Sequence, residues 1–286
     1  MPPNPRLGAL TLTAALAAGL APALAQTGSS GPAPATEVDV IAAPGTTGVA
    51  PPTGPGARFT IGAGASYTPD YFGSDENSFG PAGTLRFDYI RLPGGIEFGS
   101  TGGVGFIEGF GPRGSARYIG NRKASDNSEL DGLDNVDAAL ELGLGLGYDA
   151  AYWRAFADVR YGFIGHSSWV GEFGADAILR PNDAWVVNFG PRANWGASRF
   201  MNTYFGVSGS EADESGFDEY DASSGFYSAG LELGARYSFS EAWGVEGRAN
   251  YERLINDAAD SPIVEAGTQN QFGVQVMITR SLSLGF

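Results

Sequence analysis

The 286-residue chain has no cysteine and a single histidine. The first absence excludes disulfides, thiolate zinc sites and cysteine nucleophiles, and the second excludes a histidine metal cluster. Positive charge is scarce, with 17 basic against 32 acidic residues and a formal charge of −15. Lys and Arg nowhere cluster, which argues against a nucleic-acid partner held through its phosphates. Beyond residue 25 no run approaches 18 uninterrupted apolar residues, so no helix of the mature chain is long enough to span a membrane. Gly-x-Ser-x-Gly, P-loop and HExxH motifs are missing as well. What is abundant is glycine, 44 residues, beside 12% aromatic and 43% hydrophobic residues. Such a chain is too apolar to be wholly disordered, and it fits neither a helical bundle nor an ordinary α/β enzyme.

The N-terminus reads as an address. Arg6 gives a positive start, Leu7 to Leu20 is a short apolar stretch, and Ala23-Leu24-Ala25 is a small-x-small cleavage site. Residues 1–25 are therefore expected to be a signal peptide, with Gln26 first after cleavage. Residues 26–56 are rich in Pro, Gly, Ala and Thr without a period and read as a flexible periplasmic leader, with Val38 to Ala42 a short sticky element.

From Ala57 to the end the pattern has period two, the strand signature. Leu140, Leu142, Leu144, Leu146 and Tyr148 share one face, and Glu141, Gly143, Gly145 and Gly147 the other. Trp153, Ala155, Ala157, Val159, Tyr161 and Phe163 oppose Arg154, Asp158 and Arg160, with Phe156 the exception. Tyr227, Ala229, Leu231, Leu233 and Ala235 oppose Ser228, Gly230, Glu232, Gly234 and Arg236, and Trp243, Val245, Ala249 and Tyr251 oppose Glu246, Arg248, Asn250 and Glu252. Strands of about ten residues or more exceed the globular norm and suit a transmembrane barrel with a lipid-facing outside and a watery or side-chain-filled inside. Small residues then let the wall curve, and aromatics belt it at the headgroups.

Twelve strands are expected, near 57–67, 81–91, 95–100, 103–109, 113–119, 136–148, 152–164, 168–180, 184–196, 225–239, 241–253 and 271–286. Residues 95–119 are glycine-rich, so ten or fourteen strands also fit. Brief turns at Pro93-Gly94, Gly111-Pro112, Asp149-Ala150, Pro181-Asn182-Asp183 and Ser240-Glu241 contrast with long segments at 68–80, 120–135, 197–224 and 254–270, as periplasmic turns contrast with extracellular loops. The expected fold is all-β: a transmembrane antiparallel β-barrel over 57–286 in the outer membrane of a Gram-negative cell. Tyr148, Trp153, Trp185, Phe239 and Trp243 lie beside the short turns as an aromatic girdle, and Phe286 closes the last strand as a signal for the barrel assembly machinery. Arg280 falls on the apolar face, where it can snorkel.

The four long segments hold 16 acids and 3 bases, a net of −13. They read as a solubilising rim, or alternatively as one that holds lipopolysaccharide through divalent ions. The run from Asp126 to Gly132 lacks the spacing and final Glu of a calcium loop, and no metal or cofactor is expected. On the inner face, Glu141, Arg154, Asp158, Arg160, Glu172, Asp176, Arg192, Glu232, Arg236, Glu246 and Arg248 mix both signs. These lumen-lining charges read as a stabilising cross-lumen network in a closed barrel or, alternatively, as the lining of a small-solute or ion channel. His166-Ser167-Ser168, with Glu172 on the same face, resembles the His-x-Ser pair of barrel lipid A 3-O-deacylases. The three would point inward, away from an acyl chain, so no catalytic residue is assigned.

Met201 to Ser208 (MNTYFGVS), Glu211, Ser215-Gly216, Tyr220, Ser224-Gly225-Phe226, Trp243, Tyr251, Leu254, Asp257 to Val264 (DAADSPIV), and near the start Gly62 to Gly64, Pro69, Tyr71, Gly73-Ser74 and Pro81 resemble the signature of the MipA/OmpV family. The matches spread over nearly all of 57–286 and leave the leader outside. The resemblance implies an outer-membrane barrel that meets lipid and lipopolysaccharide. It also implies kinship with a scaffold for peptidoglycan assembly that links a lytic transglycosylase with a bifunctional penicillin-binding protein. Other members of the family are implicated in adhesion, osmotic response or antibiotic susceptibility.

Overall fold

Period-two segments need hydrogen-bonding neighbours, and here each finds them in an adjacent strand. The computed structural model describes residues 36–39, 54–94, 97–99 and 109–286. The expected signal peptide and most of the leader lie outside the described residues. In chain order the strands are β1 (Thr36–Asp39), β2 (Gly56–Pro69), β3 (Asn77–Arg91), β4 (Glu97–Gly99), β5 (Gly109–Ile119), β6 (Ala139–Asp149), β7 (Trp153–Ile164), β8 (Trp169–Asn182), β9 (Trp185–Gly196), β10 (Gly225–Ser238), β11 (Trp243–Leu254) and β12 (Asn270–Gly285). They make one antiparallel sheet in the order β1-β5-β6-β7-β8-β9-β10-β11-β12-β2-β3-β4. The last strand zips onto the first long one, Val274 opposite Tyr67 through Gly285 opposite Gly56. β1 pairs with β5 and lies against β3, so four residues of the leader enter the seam between the two ends of the sheet.

The strand expected over 103–109 lies outside the described residues except for Gly109, which begins β5, and the turn expected at Gly111-Pro112 is instead continuous strand, with Gly111 opposite Gly147 and Pro112 opposite Leu146 of β6. Among the described residues the twelfth strand is therefore β1. Apart from β1 and β4, the strands run 11 to 16 residues. That length spans the roughly 9–11 residues a tilted transmembrane strand needs.

The burial pattern is inside out, which identifies a transmembrane barrel. Leu144 is 74% exposed, whereas Glu141 and Arg160, each buried in the wall's inner face, are 0% exposed. Close packing explains part of the glycine content. A Cβ at Gly145 would strike the Asp158 carboxylate and stand 2.5 Å from the Ala157 carbonyl, both on neighbouring β7. Phe156, the exception to the alternation, points inward, with the Arg113 guanidinium 3.9 Å above its ring.

Candidate functional site

The short turns and the long loops segregate to opposite ends, and the long loops do more than form a polar rim. Residues 197–224 fold into α1 (Ser198–Phe205) and α2 (Gly209–Ser215), and 255–269 include α3 (Pro262–Glu265). Phe200, Met201, Tyr204 and Phe205 recur at helical spacing on one side of α1 and are all buried. Ser168 caps this helix from outside, accepting the Phe200 N–H at 3.2 Å. Tyr71, Leu130, Leu133, Val207 and Ile263, drawn from all four loops, form one apolar cluster. A second joins α1 to Tyr227, Leu254, Ala258, Val264 and Phe72. The loops thus share a small core and form a cap over the outer end.

Polar contacts cross-link the cap. Ser261 Oγ donates to the Phe205 carbonyl at 2.6 Å, Tyr220 OH to that of Asp257 at 2.8 Å, and Tyr71 OH to Glu129 at 3.0 Å. α2 starts with a capping box of Ser208 and Glu211, and Glu211 also accepts the Asp134 N–H at 3.0 Å. Gly132, at φ 88°, lets the second loop meet α2, because a Cβ there would lie 2.6 Å from the Ser215 backbone. Burial and then the Glu129 charge hold the Tyr71 hydroxyl well above its usual range. Burial alone would raise Glu211, but the N–H groups of Ser208 and Asp134, the Ser208 hydroxyl and Arg122 hold it below the usual carboxylate range.

Beneath the cap the charged inner face is knitted together. Glu141 accepts Arg117 through Nε and Nη2 at 2.8 and 2.7 Å and Arg160 Nε at 3.0 Å, and His166 Nε2 sits 3.1 Å from it. Arg160 also donates to Glu172 at 2.7 Å. Asp176 pairs with Arg154 at 2.6 Å and Arg192 at 2.9 Å, and Arg192 reaches Glu232 at 2.8 Å. Asp158 pairs with Arg113 at 3.0 Å. Glu246 holds Arg86 at 3.0 Å, Arg236 at 3.3 Å and Arg248 at 3.5 Å. Some pairs face each other directly across a ladder, Arg117 with Glu141, Arg154 with Asp176 and Arg236 with Glu246. Others cross the lumen: Arg86 on β3 reaches Glu246 on β11, and Arg117 on β5 donates to the Tyr227 hydroxyl on β10 at 2.8 Å.

All eleven lumen-lining candidates therefore belong to pairs or clusters, and Arg86, Arg113 and Arg117 join them. The alternation of Arg113, Ser115 and Arg117 was the signal for the last two, obscured by the glycines around it. Tyr227 is expected on the outer face but is buried inside. A bulge between Phe226 and Ser228 in the β9 pairing shifts the alternation there, so Tyr227 and Ser228 are both buried. His166, Ser168 and Glu172 point inward but form no triad. His166 faces Glu141, Ser168 caps α1, and Glu172 binds Arg160.

The girdle candidates Tyr148, Trp153, Trp185, Phe239 and Trp243 are all exposed on the outer surface near the short turns, as is Phe286 at the end. Tyr148 stacks on Trp153 at 5.1 Å, and Arg280 lies 5.0 Å above the Trp243 ring. No helix among the described residues is long and apolar enough to cross a membrane, and no group of three or more acidic or histidine side chains among them could hold a metal ion.

The family model of MltA-interacting protein MipA matches residues 61–280. Two curated relatives, the MltA-interacting proteins of Escherichia coli (strain K12) and Shigella flexneri, are each 36% identical over 84 residues. That stretch is 29% of this chain and 34% of either relative, so the match spans about a third of their length. Among solved structures, an outer membrane channel from Pseudomonas putida F1 aligns with 82% of this chain and 100% of its own at 12% identity, with a TM-score of 0.43.

Proposed function

The chain belongs to the MltA-interacting protein MipA family, and from that membership we propose that it is a closed outer-membrane barrel serving as an envelope scaffold. The observation that carries the reading is the double obstruction of the lumen: side-chain contacts cross its interior, Arg86 to Glu246 and Arg117 to Tyr227, and the folded loops cover its outer end. A general diffusion pore needs a continuous aqueous path, which wider barrels provide by leaving the lumen clear. Here the inner charges are spent on one another.

The partner follows from the relatives' name, MltA-interacting protein. A lytic transglycosylase is the proposed partner, with a penicillin-binding protein as the second murein enzyme, held at the periplasmic end by the short turns and the leader. The function needs no catalytic group of the chain's own, consistent with His166, Ser168 and Glu172 each serving the cap or the network. Capture with the full chain from solubilised envelopes tests it. Recovery of a transglycosylase supports the scaffold, and recovery of no murein hydrolase or synthase counts against it. Single-channel steps from the purified protein in a planar bilayer would instead favour the alternative of a small-solute channel.

A further inference from the structure

The start of the leader's sticky element is part of the wall, although it lies outside the family-matched residues 61–280. Thr36 to Asp39, as β1, pair antiparallel with β5, Thr36 opposite Tyr118 and Asp39 opposite Ser115. The register is in phase with the barrel. Glu37 and Asp39 stand level with the buried inner-face residues Arg117 and Ser115, while Thr36 and Val38 stand level with Tyr118 and Ala116 of the opposite face. A slip of one residue would set both acids level with outer-face positions, away from the level of Arg117. The leader's own alternation therefore specifies this pairing.

Its direction matters as much. β5 runs from Gly109, opposite Asp149 at a short turn, to Ile119 at the long second loop. Antiparallel to it, β1 starts near the outer end and stands in the outer half of the wall. A segment held there is out of reach of an enzyme in the periplasm. The hold is slight, because β1 has four pairings on β5, whereas the other edge of β5 pairs with β6 along all eleven of its residues. So short a strand can unpair locally without unfolding the wall. We propose that β1 is a latch: paired with β5 it withholds the leader from the periplasm, and unpaired it frees the leader to hold the murein enzyme. Backbone groups committed to β5 are not available to a partner's strand or loop. Only the released form is competent, so the latched fraction weakens the apparent affinity for the enzyme. The exclusion rests on the scaffold reading, and the pairing does not.

The absence of native cysteine makes the test clean, since a disulfide can form only where two are introduced. Val38 and Ala116 stand directly opposite each other, where Cβ atoms lie about 5 Å apart and a small adjustment closes a disulfide. Val38→Cys with Ala116→Cys, in the full chain folded in detergent, should oxidise to one intramolecular disulfide. Val38→Cys with Tyr118→Cys, two residues out of register, should not. Used as bait on solubilised envelopes, the oxidised Val38→Cys, Ala116→Cys protein should recover about tenfold less transglycosylase than the same protein after reduction. No disulfide with position 116, or an equal yield with position 118, would overturn the latch. A disulfide whose reduction leaves capture unchanged would overturn the exclusion. Capture by neither redox form nor the wild type would sink the scaffold reading and the exclusion with it, while the disulfide would still report the pairing.

Discussion

Replacing Glu141 by Gln tests whether the lumen is dry. The carboxylate is fully buried and takes both Arg117 and Arg160, with His166 beside it. Gln keeps the shape and one acceptor but removes the charge and adds an N–H₂ that must face donors. Arg160 is not stranded, because Glu172 remains 2.7 Å away. Arg117 loses both of its hydrogen bonds to a carboxylate and keeps the one to the neutral Tyr227 hydroxyl. Breaking a buried ion pair by removing one partner costs about 3–5 kcal/mol, whereas an ion pair that water reaches is worth about 0–1 kcal/mol. Denaturant unfolding of the protein in lipid vesicles reads the difference as a shift of midpoint at constant slope. Arg236→Gln is the internal control. Glu246 retains Arg86 and Arg248 there, so the loss should stay below about 1.5 kcal/mol. A cost under about 1 kcal/mol for Glu141→Gln would mean that solvent reaches the centre of the network, which would refute the closed lumen.

Phe200→Ala removes a fully buried ring that packs on Tyr204 at 4.8 Å and Tyr227 at 5.0 Å, so the cap should lose about 3–5 kcal/mol and residues 197–224 should become protease-sensitive while the wall survives. Glu211 is held below its unfolded value, so its contribution is present above about pH 4.3 and is lost as pH falls through the lower folded value. Hydrogen exchange at the Ser208 and Asp134 amides, corrected for intrinsic rate, should therefore accelerate in acid, and Glu211→Gln should flatten that dependence. Gly145→Ala forces a Cβ against β7 and should cost about 1–3 kcal/mol, measured as a lower unfolding midpoint. Planar-bilayer recording of the wild-type protein should give no single-channel steps.

The wall was legible because its signal is local. Leu142, Leu144 and Leu146 against Glu141 and Gly145 specify a strand and both its faces without knowledge of any neighbour. The bulge at Tyr227 was not legible, since a one-residue slip leaves no mark in an apolar run. Nor were partners in the lumen, because pairing depends on register and on which strands stand opposite. Arg86 and Glu246 are 160 positions apart and meet only once the barrel curls. The cap was hidden for another reason. Its acids dominate the loop composition, while its core is built from a few apolar residues scattered through four segments, Tyr71, Leu130, Val207 and Ile263 among them. The one local clue was the pair of doublets Phe200-Met201 and Tyr204-Phe205, a helical stripe in a region that reads as a polar loop.

These two features of the loops are one design. Asp126, Asp131, Asp213, Glu214, Asp218 and Asp260 stay exposed on the cap, while Phe200, Leu130 and Ile263 fold beneath them. Acid on the outside keeps an apolar cap soluble at the mouth of the barrel, and the apolar side gives the loops enough buried surface to stay shut. The segments that carry the family resemblance, MNTYFGV and DAADSPIV, supply much of that buried side through Met201, Tyr204, Phe205, Val207, Ala258, Ile263 and Val264. The most recognisable sequence in the chain is therefore spent on closing the outer end and not on the wall. On the proposed scaffold reading, a barrel closed in this way would keep its inner charges for its own stability and leave the periplasmic turns and the leader as the surfaces that hold a murein enzyme.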